Sequence, residues 1–302
     1  MATEILKAYE DIDFLKRPEL RPLRLQAELL KAQIIQDNLN VLSTVVVYGS
    51  ARIEAPSAVR LGLKEAEAAL RRKPDCAHTK RRLKRAQRLL EISRYYDVAR
   101  DFSREMSRIG QHNGELEYVI VTGGGPGLME AANRGAADID AKSIGLNITL
   151  PLEQEPNPFI SPELSFTFHY FSVRKMHFLL RAKAVCVFPG GYGTLDELFE
   201  TLTLIQTQKS RTIPVILFGP DYWGQMINWQ RFVDFGMIDE EDLELFSYAD
   251  TADEAVRMIL EHYGEADAAA TTSDGGVPNG KLADSPSASE TIEGSRTHVD
   301  PA

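Results

Sequence analysis

Cysteine is nearly absent: Cys76 and Cys186 are the two in 302 residues. So few thiols, so far apart, exclude a disulfide framework and a cysteine zinc site, and they suit a reducing compartment. Cys186, within Ala184-Val-Cys-Val-Phe188, reads as a small core hydrophobe. Long apolar runs are missing too, and Met1-Ala-Thr-Glu-Ile-Leu-Lys7 has no basic stretch leading into an apolar one. Neither a membrane span nor an export signal is expected, and the chain is predicted to be soluble and cytoplasmic. Positive charge is in deficit, with 34 Lys and Arg against 44 Asp and Glu for a net charge of -10. That balance argues against nucleic acid or an anionic membrane as partner, so any phosphate has to be held locally.

What is present is an alternation of strand-like and helix-like segments. Residues 1–40 read as an N-terminal helical segment, with Leu23, Ala27, Leu30 and Ile34 at helical spacing on the face expected to pack. Val41 to Tyr48 is rich in β-branched residues and ends at Gly49, as a strand buried on both faces does. About 56–111 reads as a helical insertion broken at Lys73-Pro74-Asp75, with an apolar stripe at Ile92, Tyr95, Ala99, Phe102, Met106 and Ile109. Its basic cluster, Lys80, Arg81, Arg82, Lys84, Arg85 and Arg88, reads as a solvated helix face. From Tyr118 the order strand, helix, strand repeats, with strands at 118–122, 143–150, 164–168, 184–188 and 213–218. The pattern predicts an α/β, Rossmann-like, doubly wound parallel sheet over 41–263, with N-terminal and inserted helices added. Closing helices are expected at 221–235 and 251–263. Residues 264–302 are poor in large apolar groups and are expected to be a disordered tail.

Two glycine turns carry the chemistry. The first, Val121-Thr-Gly-Gly-Gly-Pro-Gly-Leu-Met-Glu130, lies between a strand and a helix. Glycines at Gly123, Gly124, Gly125 and Gly127 let backbone amides converge on an anion at the helix start. The second, Phe188-Pro-Gly-Gly-Tyr-Gly-Thr-Leu-Asp-Glu197, also follows a buried strand and offers Gly190, Gly191, Gly193 and the hydroxyl of Thr194. Neither matches the strict dinucleotide fingerprint, and no Gly-Lys-Ser/Thr loop occurs, so a nucleotide monophosphate fits better than NAD or ATP. Thr194-Leu-Asp-Glu197 also has the form of a capping box, in which Glu197 would only bond back to the helix start. If a phosphate sits on the same turn, Glu197 needs a cation nearby, and Arg174 is the candidate. A glutamate at a helix start is expected to be biased toward ionisation.

Together Gly123-Gly-Gly-Pro-Gly-Leu-Met-Glu130, Arg174-Lys175 and Pro189-Gly-Gly-Tyr-Gly-Thr-Leu-Asp-Glu197 resemble the LOG ("Lonely Guy") phosphoribohydrolases, in a longer bacterial form. The resemblance implies hydrolysis of the N-glycosidic bond of a nucleoside 5′-monophosphate, AMP or a cytokinin riboside monophosphate, giving base and ribose 5-phosphate. It implies Glu197 and Arg174 as catalytic residues, and phosphate or substrate contacts from the glycine turns, Thr194, Lys175 and Gly49-Ser50. Arg52 and Glu130 fall in matching segments. It also implies a homo-oligomer, at least a dimer, with sites completed across subunits. No cofactor or metal is expected. The alternative is a non-catalytic nucleotide or molybdenum-cofactor carrier of the same fold.

Overall fold

The computed structural model describes residues 6–112, 114–149 and 155–264; the tail expected at 264–302 lies outside them from residue 265 onward. Seven strands form its sheet: β1 (Thr44–Tyr48), β2 (Val119–Thr122), β3 (Ser143–Ile148), β4 (Ser165–Phe168), β5 (Ala182–Val187), β6 (Val215–Phe218) and β7 (Ser247–Ala249). Their order is β4-β3-β2-β1-β5-β6-β7 and every neighbouring pair is parallel. The order reverses direction between β1 and β5, which places the ligand crevice of an open α/β sheet above those two strands. β1, β2 and β6 are buried along their whole length, matching their uninterrupted Val and Ile runs.

The helices, in chain order, are α1 (Ile12–Leu15), α2 (Arg21–Asn38), α3 (Pro56–Arg72), α4 (Ala77–Ile92), α5 (Arg94–Gly110), α6 (Leu128–Ala137), α7 (Phe171–Leu179), α8 (Tyr192–Gln206), α9 (Pro220–Met226), α10 (Trp229–Asp234) and α11 (Ala252–Tyr263). Period-2 alternation divides the core. Val46, Tyr48, Val185 and Leu217 share one cluster with Ala32 of α2, Val173 and Phe178 of α7, and Leu198 of α8. Strand residues of the opposite parity point the other way, where Phe218 meets Phe102 of α5 at 5.7 Å and stacks on Phe188 at 4.0 Å. Burying those rings contributes on the order of 2 kcal/mol each. In the insertion, α3 and α4 pack on each other, and Thr79 Oγ1 donates to the carbonyls of Lys73 (2.9 Å) and Cys76 (2.8 Å), tying down the Pro74 turn.

Two expectations are corrected. α2 forms where predicted but presents the other face: Leu23, Leu30 and Ile34 are 52%, 50% and 51% exposed, while Ala32 and Gln36 are buried and Leu25, Leu29 and Ile35 pack on the core. Both stripes keep helical spacing, so periodicity alone does not separate them; Gln36 is tolerated inside because its amide donates to Ala32 O at 3.1 Å. The closing helix expected at 221–235 is two short helices, α9 and α10, and the short edge strand β7 was not foreseen, three residues being too few to show a period.

Candidate active site

Because β1 lies between β2 and β5, the turns that follow these three strands meet above the sheet. They are interlocked by backbone bonds: Ser50 N donates to Pro189 O at 3.2 Å, and Leu128 N donates to Ser50 O at 3.1 Å. Gly127 has φ of 69°, and a Cβ there would stand 2.6 Å from Ser50 O, so only glycine allows the first turn to lie on the Gly49-Ser50 turn.

The first turn rests on a buried polar network that its sequence did not announce. Gly124 N donates to Thr122 Oγ1 (3.0 Å), which donates to Asn133 Oδ1 (2.7 Å). Asn157 Nδ2 donates to the carbonyls of Gly124 (3.2 Å) and Gly125 (3.0 Å) and to Asn133 Oδ1 (2.9 Å). Asn133 in turn donates to Ser143 Oγ at 3.0 Å. In a trans peptide the amide points opposite to its carbonyl, so drawing the Gly124 carbonyl inward turns the Gly125 N–H outward. Glu130, one turn into α6, accepts from Tyr96 Oη at 3.0 Å, which ties it to α5.

The second turn corrects the capping-box reading. α8 begins at Tyr192, its cap residue is Gly191, and no side chain caps it. Thr194 is therefore inside the first turn of the helix, buried against Gly190, whose carbonyl accepts from Tyr222 Oη at 2.7 Å. Freed of a capping role, Glu197 Oε1 accepts from Arg174 Nη1 at 3.2 Å. Arg174, far from being a surface residue, is 8% exposed. Its Nε donates to Leu146 O at 2.7 Å, its guanidinium lies 4.9 Å from the centre of the Phe178 ring, and a Cβ at Gly123 would stand 2.5 Å from Nη2. The missing side chain at Gly123 makes the room in which Arg174 reaches the first turn.

The expected bias of Glu197 toward ionisation is also overturned. Burial pushes its carboxyl up to about 7, Asp196 pushes the same way, and Arg174 and Lys175 offset this only in part. Below the pair, burial and then the Glu197 charge hold the Tyr48 hydroxyl well above its ordinary value. Lys175, expected to contact phosphate, is turned to Asp196 (2.8 Å) and Glu200 (2.9 Å). Burial lowers its pKa, but those two carboxylates outweigh burial and leave it raised. Of the aromatic residues near the motifs, Tyr170 packs on the core, whereas Phe171 and Tyr192 are 52% and 94% exposed. Beside the second turn lies a cleft of about 710 Å³, lined in part by Ser50, Arg52, Pro189, Gly190, Gly191 and Tyr192. Among the described residues no group of His, Cys, Asp and Glu is placed to hold a metal ion.

Residues 129–259 match the family model described as possible lysine decarboxylase. Over 123 residues the chain is 33% identical to a pyrimidine/purine nucleotide 5′-monophosphate nucleosidase of Escherichia coli (strain K12), a match covering 37% of this chain and 27% of the relative. Over 165 residues it is 29% identical to a probable cytokinin riboside 5′-monophosphate phosphoribohydrolase of Oryza sativa subsp. japonica, covering 53% and 70%. The chain thus spans about a quarter of the nucleosidase it matches. Among solved structures, a Moco carrier protein from Chlamydomonas reinhardtii aligns with 73% of this chain and 98% of its own at 16% identity and a TM-score of 0.41. With its glycine turns, Arg174 and Glu197 brought together on a parallel sheet, the chain is similar over residues 129–259 to that family and over part of its length to these nucleosidases and phosphoribohydrolases.

Proposed function

We propose that this chain hydrolyses the N-glycosidic bond of a nucleoside 5′-monophosphate, AMP or a cytokinin riboside monophosphate, to free base and ribose 5-phosphate. The observation that carries the reading is the largely buried Arg174–Glu197 pair, 3.2 Å apart, at the meeting point of three strand-end turns. The phosphate rests on the outward amide of Gly125, on the amides of Gly190 to Gly193 and on the Ser50 hydroxyl, with Thr194 bracing Gly190 from inside. As the bond from C1′ to the base nitrogen breaks, its electron pair leaves with the base and positive charge builds on the sugar. Ionised Glu197 stabilises that charge and takes a proton from the water whose oxygen bonds to C1′. The proton ends on the departing base. Arg174 holds the carboxylate in position and offsets its repulsion with the phosphate.

A decarboxylase reading needs a lysine whose amine is readily freed of its proton, and Lys175 is held charged by Asp196 and Glu200. A carrier needs the glycine turns but has no use for a buried carboxylate beside them. We place the working enzyme in the cytoplasm, as a homo-oligomer of at least two subunits. Incubation with a panel of nucleoside monophosphates, followed by chromatography, tests the reading: it predicts free base and ribose 5-phosphate. Tight nucleotide binding with no base released would favour the carrier.

A further inference from the structure

The inserted helix pair supplies part of the cleft. Arg85, Leu89 and Ile92 of α4 line it together with Gly190 and Gly191. They follow one another at i, i+4 and i+7, so one face of α4 is directed into the cleft. Three others of the basic cluster are engaged elsewhere. Arg82 pairs with Glu65 at 3.2 Å, Arg88 with Glu91 at 2.8 Å and Lys80 with Asp75 at 3.9 Å. Among the described residues, neither Arg85 nor Arg52 has a carboxylate within ion-pair distance, and no acidic side chain lines the cleft. In a chain of net charge -10, this is a local concentration of positive charge beside a glycine turn. Its volume of about 710 Å³ is that of a small-molecule site.

We propose that Arg85 binds the 5′-phosphate of the substrate in the cleft it lines together with Gly190 and Gly191, so that the insertion, and not the glycine turns alone, sets the requirement for a phosphorylated substrate. The inference rests on the nucleotide reading given above. A guanidinium matches a phosphate dianion with two parallel N–H···O bonds, and Arg52 in the same lining supplies a second cation.

The test compares Arg85→Ala with the parent and with Arg81→Ala, an exposed position on the same helix outside the cleft lining. For AMP, Arg85→Ala is expected to raise KM about ten- to a hundredfold, with kcat within about threefold of the parent. Cleavage of adenosine, which has no phosphate, is expected to be unchanged, and inhibition by ribose 5-phosphate to weaken in parallel. Arg81→Ala is expected to behave as the parent. An AMP KM within about twofold of the parent, or an equal loss on adenosine, overturns the proposal. Calorimetric titration with AMP separates it from the hydrolase reading: if the parent binds AMP but releases no base, a weaker affinity in Arg85→Ala still supports the phosphate contact, and an unchanged affinity overturns it.

Discussion

Asn157 shows how much of the site depends on residues that touch no substrate. Its amide holds the carbonyls of Gly124 and Gly125 inward, and it is buried. Replacing it by Ala strands buried acceptors, which costs about 1–3 kcal/mol, and lets the Gly125 amide swing away from the phosphate. Asn157→Ala is therefore expected to lower the melting temperature and to raise the AMP KM more than it lowers kcat, read by thermal denaturation and steady-state kinetics. The pairing of Arg174 with Glu197 was expected from the sequence, because a carboxylate ending a phosphate-binding glycine turn needs a cation nearby. Asn133, inside α6, and Asn157, in a loop, were not legible, since neither position marks an asparagine as buried. The protonation of Glu197 departs from the sequence expectation for a physical reason. A helix start favours the anion by less than about 1 kcal/mol, whereas burial acts on the whole desolvation of the charge and pushes the carboxyl up to about 7.

Among the elements, α2 acts as a clamp on α7. Glu28 accepts from the amides of His169 (2.9 Å) and Tyr170 (3.2 Å) just ahead of α7. His177 Nε2 lies 3.0 Å from Leu29 O, and burial, the larger cause, lowers the His177 pKa toward the neutral ring. Since α7 carries Arg174, Glu28→Ala is expected to cost about 1 kcal/mol of stability and to reduce kcat several-fold with little change in substrate affinity. Glu28→Gln, whose amide oxygen still accepts, is expected to recover most of that loss. The alternation of elements from Tyr118 onward was readable because β2, β5 and β6 are short apolar runs that lead into glycine turns. The orientation of α2 was not, because Leu25 and Leu29 compete with Leu23 and Leu30 for the same inward face.

At the scale of the whole molecule, the outward stripe of Leu23, Leu30 and Ile34 is apolar surface that a second copy would cover. Sedimentation of the parent at micromolar concentration is expected to give a dimer or larger species, and Leu30→Glu with Ile34→Glu to shift it toward monomer while the melting transition persists. A parent that sediments as a monomer with full activity contradicts the oligomer. The sheet order brings the ends of β1, β2 and β5 together, and the account turns on what Glu197 does at that junction. The most direct measurement is adenine release from AMP by the parent and by Glu197→Gln across pH 5 to 9. An ionised carboxylate raised to about 7 loses its active form as pH falls, so parental turnover is expected to climb with pH through an apparent value near 7. Glu197→Gln is expected to be about a hundredfold slower, with no such climb and with AMP affinity equal to or slightly better than the parent's. A Glu197→Gln variant that releases adenine at the parental rate contradicts the account.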